Sequence, residues 1–92
     1  MTDEEKIEKK ATVTDYLQGL FPECTVETEW DFHSTDLMFR IDEPDGQTKH
    51  QGKFSSNFLE YTKTAEVPEE LNRRRFKKML DEMGRKEVLI KS

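Results

Sequence analysis

Residues 24–32, CTVETEWDF, alternate without a break: Cys24, Val26, Thr28, Trp30 and Phe32 fall on one register, Thr25, Glu27, Glu29 and Asp31 on the other. Successive side chains of a strand point to opposite faces, so this pattern fits a half-covered β-strand with one apolar and one acidic face. His33, Ser34, Thr35 and Asp36 are turn residues. Leu37, Phe39 and Ile41 then alternate with Met38, Arg40 and Asp42. Two such runs joined by a short polar link predict an antiparallel hairpin. Arg40 is placed to face an acid of the first strand, a pairing that contributes from a few tenths to about 1 kcal/mol.

The flanking segments supply what covers this hairpin. Thr2-Asp3-Glu4-Glu5 has the form of a capping box, and its acids suit the positive end of a helix dipole. Ile7, Ala11, Thr14, Leu17, Leu20 and Phe21 recur at helical spacing, and Gly19 and Pro22 end the pattern, so the spacing predicts a helix over 3–20. Glu43-Pro44-Asp45-Gly46 is a turn. Residues 47–54 predict a third strand, and its polarity predicts an exposed edge position, because Phe54 alone is clearly apolar. Residues 55–62 fit either a short helix or a strand. Pro68, followed by Glu69 and Glu70, predicts the start of a second helix with Leu71, Phe76, Met79, Leu80 and Met83 as its stripe and Gly84 beyond its end. Residues 87–90, EVLI, predict a last strand.

The expected class is therefore α+β: two layers, a mostly antiparallel sheet of three to four strands with two helices on one face. The order helix, three strands, helix is similar to that of double-stranded RNA binding domains, but the likeness is one of order alone. Residues 32–36 form a short acid-bearing loop, and the second helix opens with Pro68-Glu69-Glu70, which repels phosphate.

Ninety-two residues predict a single domain, with ends fraying at about 1–3 and 91–92. Cys24 is the single cysteine, so no intramolecular disulfide can form. No apolar run reaches membrane-spanning length, and MTDEEKIEKK lacks the apolar core of a signal peptide, so the expectation is a soluble cytoplasmic protein. The net charge of −5 divides unequally: residues 1–66 hold 15 acids and 7 bases, and residues 67–92 hold 5 acids and 8 bases.

Two surfaces compete for function. Glu27, Glu29 and Asp31 share one register of the first strand, about 7 Å apart; such a ladder can dock a basic segment of another protein, and equally serves as a solvated face. The stretch NRRRFKKM, residues 72–79, brings Arg73, Arg74, Lys77 and Lys78 together as a nucleic-acid candidate. On a continuous helix these cations spread around the wheel, with Glu70, Asp81 and Glu82 one turn away. Cys24, His33 and His50 lack metal-ligand spacing, no glycine-rich phosphate loop occurs, and neither an enzyme nor a cofactor is expected. Trp30 is either a core anchor or an interface residue. The expected function is a small interaction or regulatory domain that binds a protein partner or a second copy of itself, at the acidic sheet face or along an exposed third strand. Nucleic-acid binding is the alternative; membrane binding is not expected.

Overall fold

The computed structural model describes residues 1–92. Helix α1 (Asp3–Leu20) begins where the Thr2 hydroxyl accepts the Glu5 N–H at 3.1 Å, as the capping box predicts. It ends as the Phe21 N–H closes on the Leu17 carbonyl at 3.1 Å. Its buried face differs from the predicted stripe. Lys9, Val13 and Leu17 face the interior, while Ile7 is 70% exposed and Ala11 also meets solvent.

Strands β1 (Thr25–Trp30) and β2 (Leu37–Asp42) form the predicted hairpin, with Glu27 opposite Arg40 and Trp30 opposite Leu37. Strand β1 stops two residues earlier than the alternation suggests. Asp31 turns the chain instead, and Phe32, expected on the apolar face, is 97% exposed at the tip. Thr35 supports the turn in the left-handed region, φ 57°.

The turn after β2 closes with the Gly46 N–H on the Glu43 carbonyl at 2.8 Å, and Gly46 takes φ 91°. Strand β3 (Thr48–Phe54) follows. It is not an edge, and the expectation of an exposed third strand is overturned. The sheet order is β1-β2-β3-β4, with β3 antiparallel to β2 and parallel to β4 (Glu87–Ile90). The polar appearance of β3 has another cause. Its inner positions are His50, Gly52 and Phe54, and Gly52 is bare because the Val88 carbonyl and the Phe39 ring occupy the space a side chain would need.

Between β3 and β4 the chain makes α2 (Ser56–Tyr61), a 3₁₀ turn (Thr64–Glu66), α3 (Val67–Arg73) and α4 (Phe76–Met83). The segment left open at 55–62 is thus helical, capped by the Ser55 hydroxyl accepting the Phe58 N–H at 3.1 Å. The predicted second helix is two helices, broken at Arg75, which takes φ 55° and ψ 48°. The break has a packing reason. Leu71 and Phe76 are five positions apart, about 140° around a continuous helix. With the break, both are buried, at 0% and 1% exposure.

The core lies on one face of the sheet. Fifteen apolar residues are buried there, and the rings of Phe39, Phe54 and Phe76 meet pairwise at 5.2, 6.0 and 5.6 Å between centroids. Four helices, not two, therefore accompany a mixed four-stranded sheet, and the α+β class stands. No helix is long and apolar enough to cross a membrane.

Candidate functional site

The face of the sheet turned away from the core carries two cross-strand rows. Glu27, Arg40, Gln51 and Glu87 form one, and Glu29, Met38, Lys53 and Leu89 the other. The Arg40 guanidinium reaches Glu27 at 2.7 Å and Asp42 at 3.1 Å, and Lys53 lies 3.8 Å from Glu87. The face is therefore mixed in charge across the sheet: Glu27, Asp42 and Glu87 are each paired with a cation, and Glu29 on β1 makes no ion pair.

Asp31 does not join the other two acids. Its carboxylate accepts the His33 N–H at 2.9 Å, its own N–H donates to the Asp36 carbonyl at 2.9 Å, and its carbonyl accepts the Thr35 N–H at 3.1 Å. The backbone hydrogen bond from His33, then the Ser34 hydroxyl, hold its carboxyl below the usual range. Asp31 is the keystone of the β1–β2 turn, while Glu27 and Glu29 share the open sheet face.

Strand β1 has a partner on one side only. Antiparallel strands exchange hydrogen bonds at alternate residue pairs. The Asp31–Asp36 bond fixes the phase, so Thr25, Glu27 and Glu29 bond to β2. Val26, Thr28 and Trp30 consequently aim their N–H and C=O groups outward along a free edge. Above that edge lies α1. The Thr14 hydroxyl donates to the Lys10 carbonyl at 2.6 Å and accepts from the Thr28 hydroxyl at 2.6 Å, which pins the helix over the strand. From that pin, Ile7 and Ala11 stay exposed rather than turning into the core. With Lys10, Thr14 and Asp15 of the same helix they line an open groove that takes in Val26, Thr28 and Trp30 of β1 and runs on over the outer sheet face at Glu27 and Glu29. At its turn end the groove meets Phe32 and the half-buried Trp30, whose ring lies 5.9 Å below the Lys6 ammonium. Trp30 is thus at once a margin of the core and a wall of the groove.

The cations singled out in the sequence are largely engaged inside the molecule. Arg73 and Arg74 lie 3.0 and 3.6 Å from Glu70, and Lys77 lies 3.9 Å from Asp81. The Arg74 guanidinium also covers the Phe58 ring at 4.9 Å and donates to the Lys91 carbonyl. Lys78 makes no ion pair. The break at Arg75 parts these cations between two helices, so the single-helix wheel does not describe them.

Cys24 precedes β1 and His33 follows it, which puts them at opposite ends of a six-residue strand. No group of three or more His, Cys, Asp or Glu side chains is placed to hold a metal ion. His50 is buried beneath α4, with Nδ1 donating to the Gly84 carbonyl at 2.8 Å and Nε2 lying 3.4 Å from Asp81. Lys9 is the other buried polar side chain, and its ammonium donates to the Leu59 and Thr62 carbonyls at the end of α2.

Sequence reasoning missed the free edge of β1. Its signal was present in α1, whose apolar residues cover more than one stripe: Val13, Leu17 and Leu20 on one side, Ile7 and Ala11 on another. No protein-family model, curated protein or solved structure matches the chain.

Proposed function

We propose that the chain is a small, non-enzymatic interaction domain that takes an extended segment of a protein partner onto the free edge of β1. The outward N–H and C=O groups of Val26, Thr28 and Trp30, roofed by the exposed Ile7 and Ala11, support this reading. Main-chain hydrogen bonding supplies affinity in strand addition, and alternate side chains supply selectivity. The roof matters because an added strand needs one face covered, and the Thr14–Thr28 hydrogen bond holds α1 beside that edge.

Thr28→Pro tests this. Thr28 directs its N–H outward, so proline there removes an edge donor and leaves the β2 ladder intact. Thr28→Val, which loses the hydroxyl bonded to Thr14 but keeps the N–H, is the control and is expected to bind as the wild type does. Affinity capture from the source cell's extract, with nuclease present, is expected to retain a partner protein on the wild type and lose it on a folded Thr28→Pro variant. Capture indifferent to Thr28→Pro overturns the reading. Capture that disappears with nuclease, and with Arg74→Glu, transfers the activity to nucleic acid and the α3–α4 region.

A further inference from the structure

Resting on the strand-addition reading, we infer that the segment received by β1 alternates basic and apolar side chains and is not a second copy of this chain. The charge around the edge distinguishes the two occupants.

A strand added to β1 presents alternate side chains to two different surroundings. On the open face they stand beside Glu27 and Glu29, both exposed. Arg40 already engages Glu27, but Glu29 has Met38 as its β2 neighbour and no cation within ion-pair distance. The open face of the added strand therefore favours lysine or arginine. On the covered face its side chains lie beside Ile7 and Ala11, next to Val26 and Trp30 and near the Lys10 ammonium, where small or branched apolar residues fit and basic ones do not. The strand is six residues long, which sets a matching segment of roughly six residues, about 20 Å.

A second copy does poorly by the same rule. Pairing β1 with β1 about a twofold axis normal to the sheet keeps odd residues opposite odd residues. Centred on Thr28, Glu27 faces Glu29 twice; centred on Glu27, the two Glu27 side chains face each other. Centred on Val26, the acids part, but only residues 25–27 of each six-residue strand are then paired. Like charges directly opposite one another destabilise a strand pair. The acids that invite a basic segment thus also keep identical edges apart, a common defence for an exposed strand.

Trp30 is the single tryptophan and lies in the groove, so its fluorescence reports occupancy directly. The probes are three synthetic peptides of about eight residues: alternating Lys and Val, alternating Glu and Val, and a Lys/Val peptide of the same composition in block order. The alternating Lys/Val peptide is expected to shift Trp30 emission saturably. Glu27→Lys/Glu29→Lys is expected to weaken it about tenfold, as the lost pair at Glu29 and the like-charge repulsion that replaces it imply. Thr28→Pro is expected to abolish it while the thermal melt remains cooperative. Equal or tighter binding of the Glu/Val peptide overturns the basic chemistry and leaves strand addition standing. Equal binding of the block peptide shows that bulk charge alone is read, and overturns the inference. Silence from all three peptides overturns it too, while capture from extract still decides the broader function. Light scattering that grows with protein concentration and is lost in Thr28→Pro would name the second copy as occupant, against the inference.

Discussion

A Cβ built on Gly52 would stand 2.3 Å from the carbonyl oxygen of Val88 and 2.9 Å from the Phe39 ring. The contact is with backbone of the neighbouring parallel strand, which cannot swing aside as a side-chain tip can. Gly52→Ala is accordingly expected to cost about 1–3 kcal/mol, the usual range for overpacking. A lowered urea midpoint with an unchanged slope is the expected result. An unaltered midpoint would mean that β3 and β4 are not in such close contact.

Arg75 carries the opposite sign. It holds a left-handed conformation, φ 55° and ψ 48°, that an L side chain adopts at a cost and glycine adopts freely. Arg75→Gly is expected to stabilise by about 0.5–1 kcal/mol after the added freedom of the unfolded chain is set against the relieved strain. A rise of the melting temperature by a few degrees would register it. Arg75→Ala keeps the Cβ and should leave the melt almost unmoved; a gain equal to that of glycine would instead implicate the arginine charge.

Lys9 is buried against the end of α2, and its ammonium satisfies two carbonyls that the helix leaves open. Lys9→Met fits the space but strands the Leu59 and Thr62 carbonyls, at an expected cost of about 1–3 kcal/mol in a denaturant titration. Burial pushes the Lys9 pKa below its ordinary 10.5, against the opposing charges of Glu5 and Glu60. In the interval between the lowered value and 10.5 the unfolded chain binds more protons than the folded one, so this group makes stability rise with pH there. The Lys9→Met variant should lack that increment when both proteins are titrated in parallel.

Asp31 governs the acid limb. Its carboxyl lies below the ordinary 3.8 because the folded turn supplies hydrogen bonds from His33 and then Ser34. Its contribution is present above 3.8 and is lost as the pH falls through the lowered value. Asp31→Ala should abolish that acid dependence and increase amide exchange at His33 and Thr35. It should leave binding at the β1 edge intact, which separates a turn residue from a docking residue.

Much of this architecture could be read in advance wherever a residue's local chemistry agrees with its tertiary place. Thr2, Pro68, Gly46 and Gly84 mark element boundaries because capping and positive φ are local demands, met the same way in any fold. Position in the sheet is not local. The bareness of β3 resembled that of an edge strand, yet it arises from Val88 and Phe39 pressing on Gly52. The helix stripe through Leu71 and Phe76 was real, but a continuous helix cannot aim both at one core. Glu27 and Glu29 lie exposed on one face of β1, as the alternation implies. Asp31 shared their parity and lost their company because the turn began one residue after β1 ended. Nothing in β1 itself announces which of its two edges stays bare; that depends on which strand comes to lie beside it.

The parallel pairing of β3 with β4 also bears on the order of assembly. Strands β1, β2 and β3 join neighbours through short turns, whereas Gly52 meets Val88 only after the whole helical segment has folded back across the sheet. Contacts that close long loops form late, since the chain entropy is lost before the contact rewards it. The three-stranded meander is therefore expected to form early and β4 to click in afterwards, as a latch on a nearly finished molecule. Substitutions at Val88 and Ile90 should quicken unfolding while barely slowing refolding, leaving the durability of the native state in the keeping of its shortest strand.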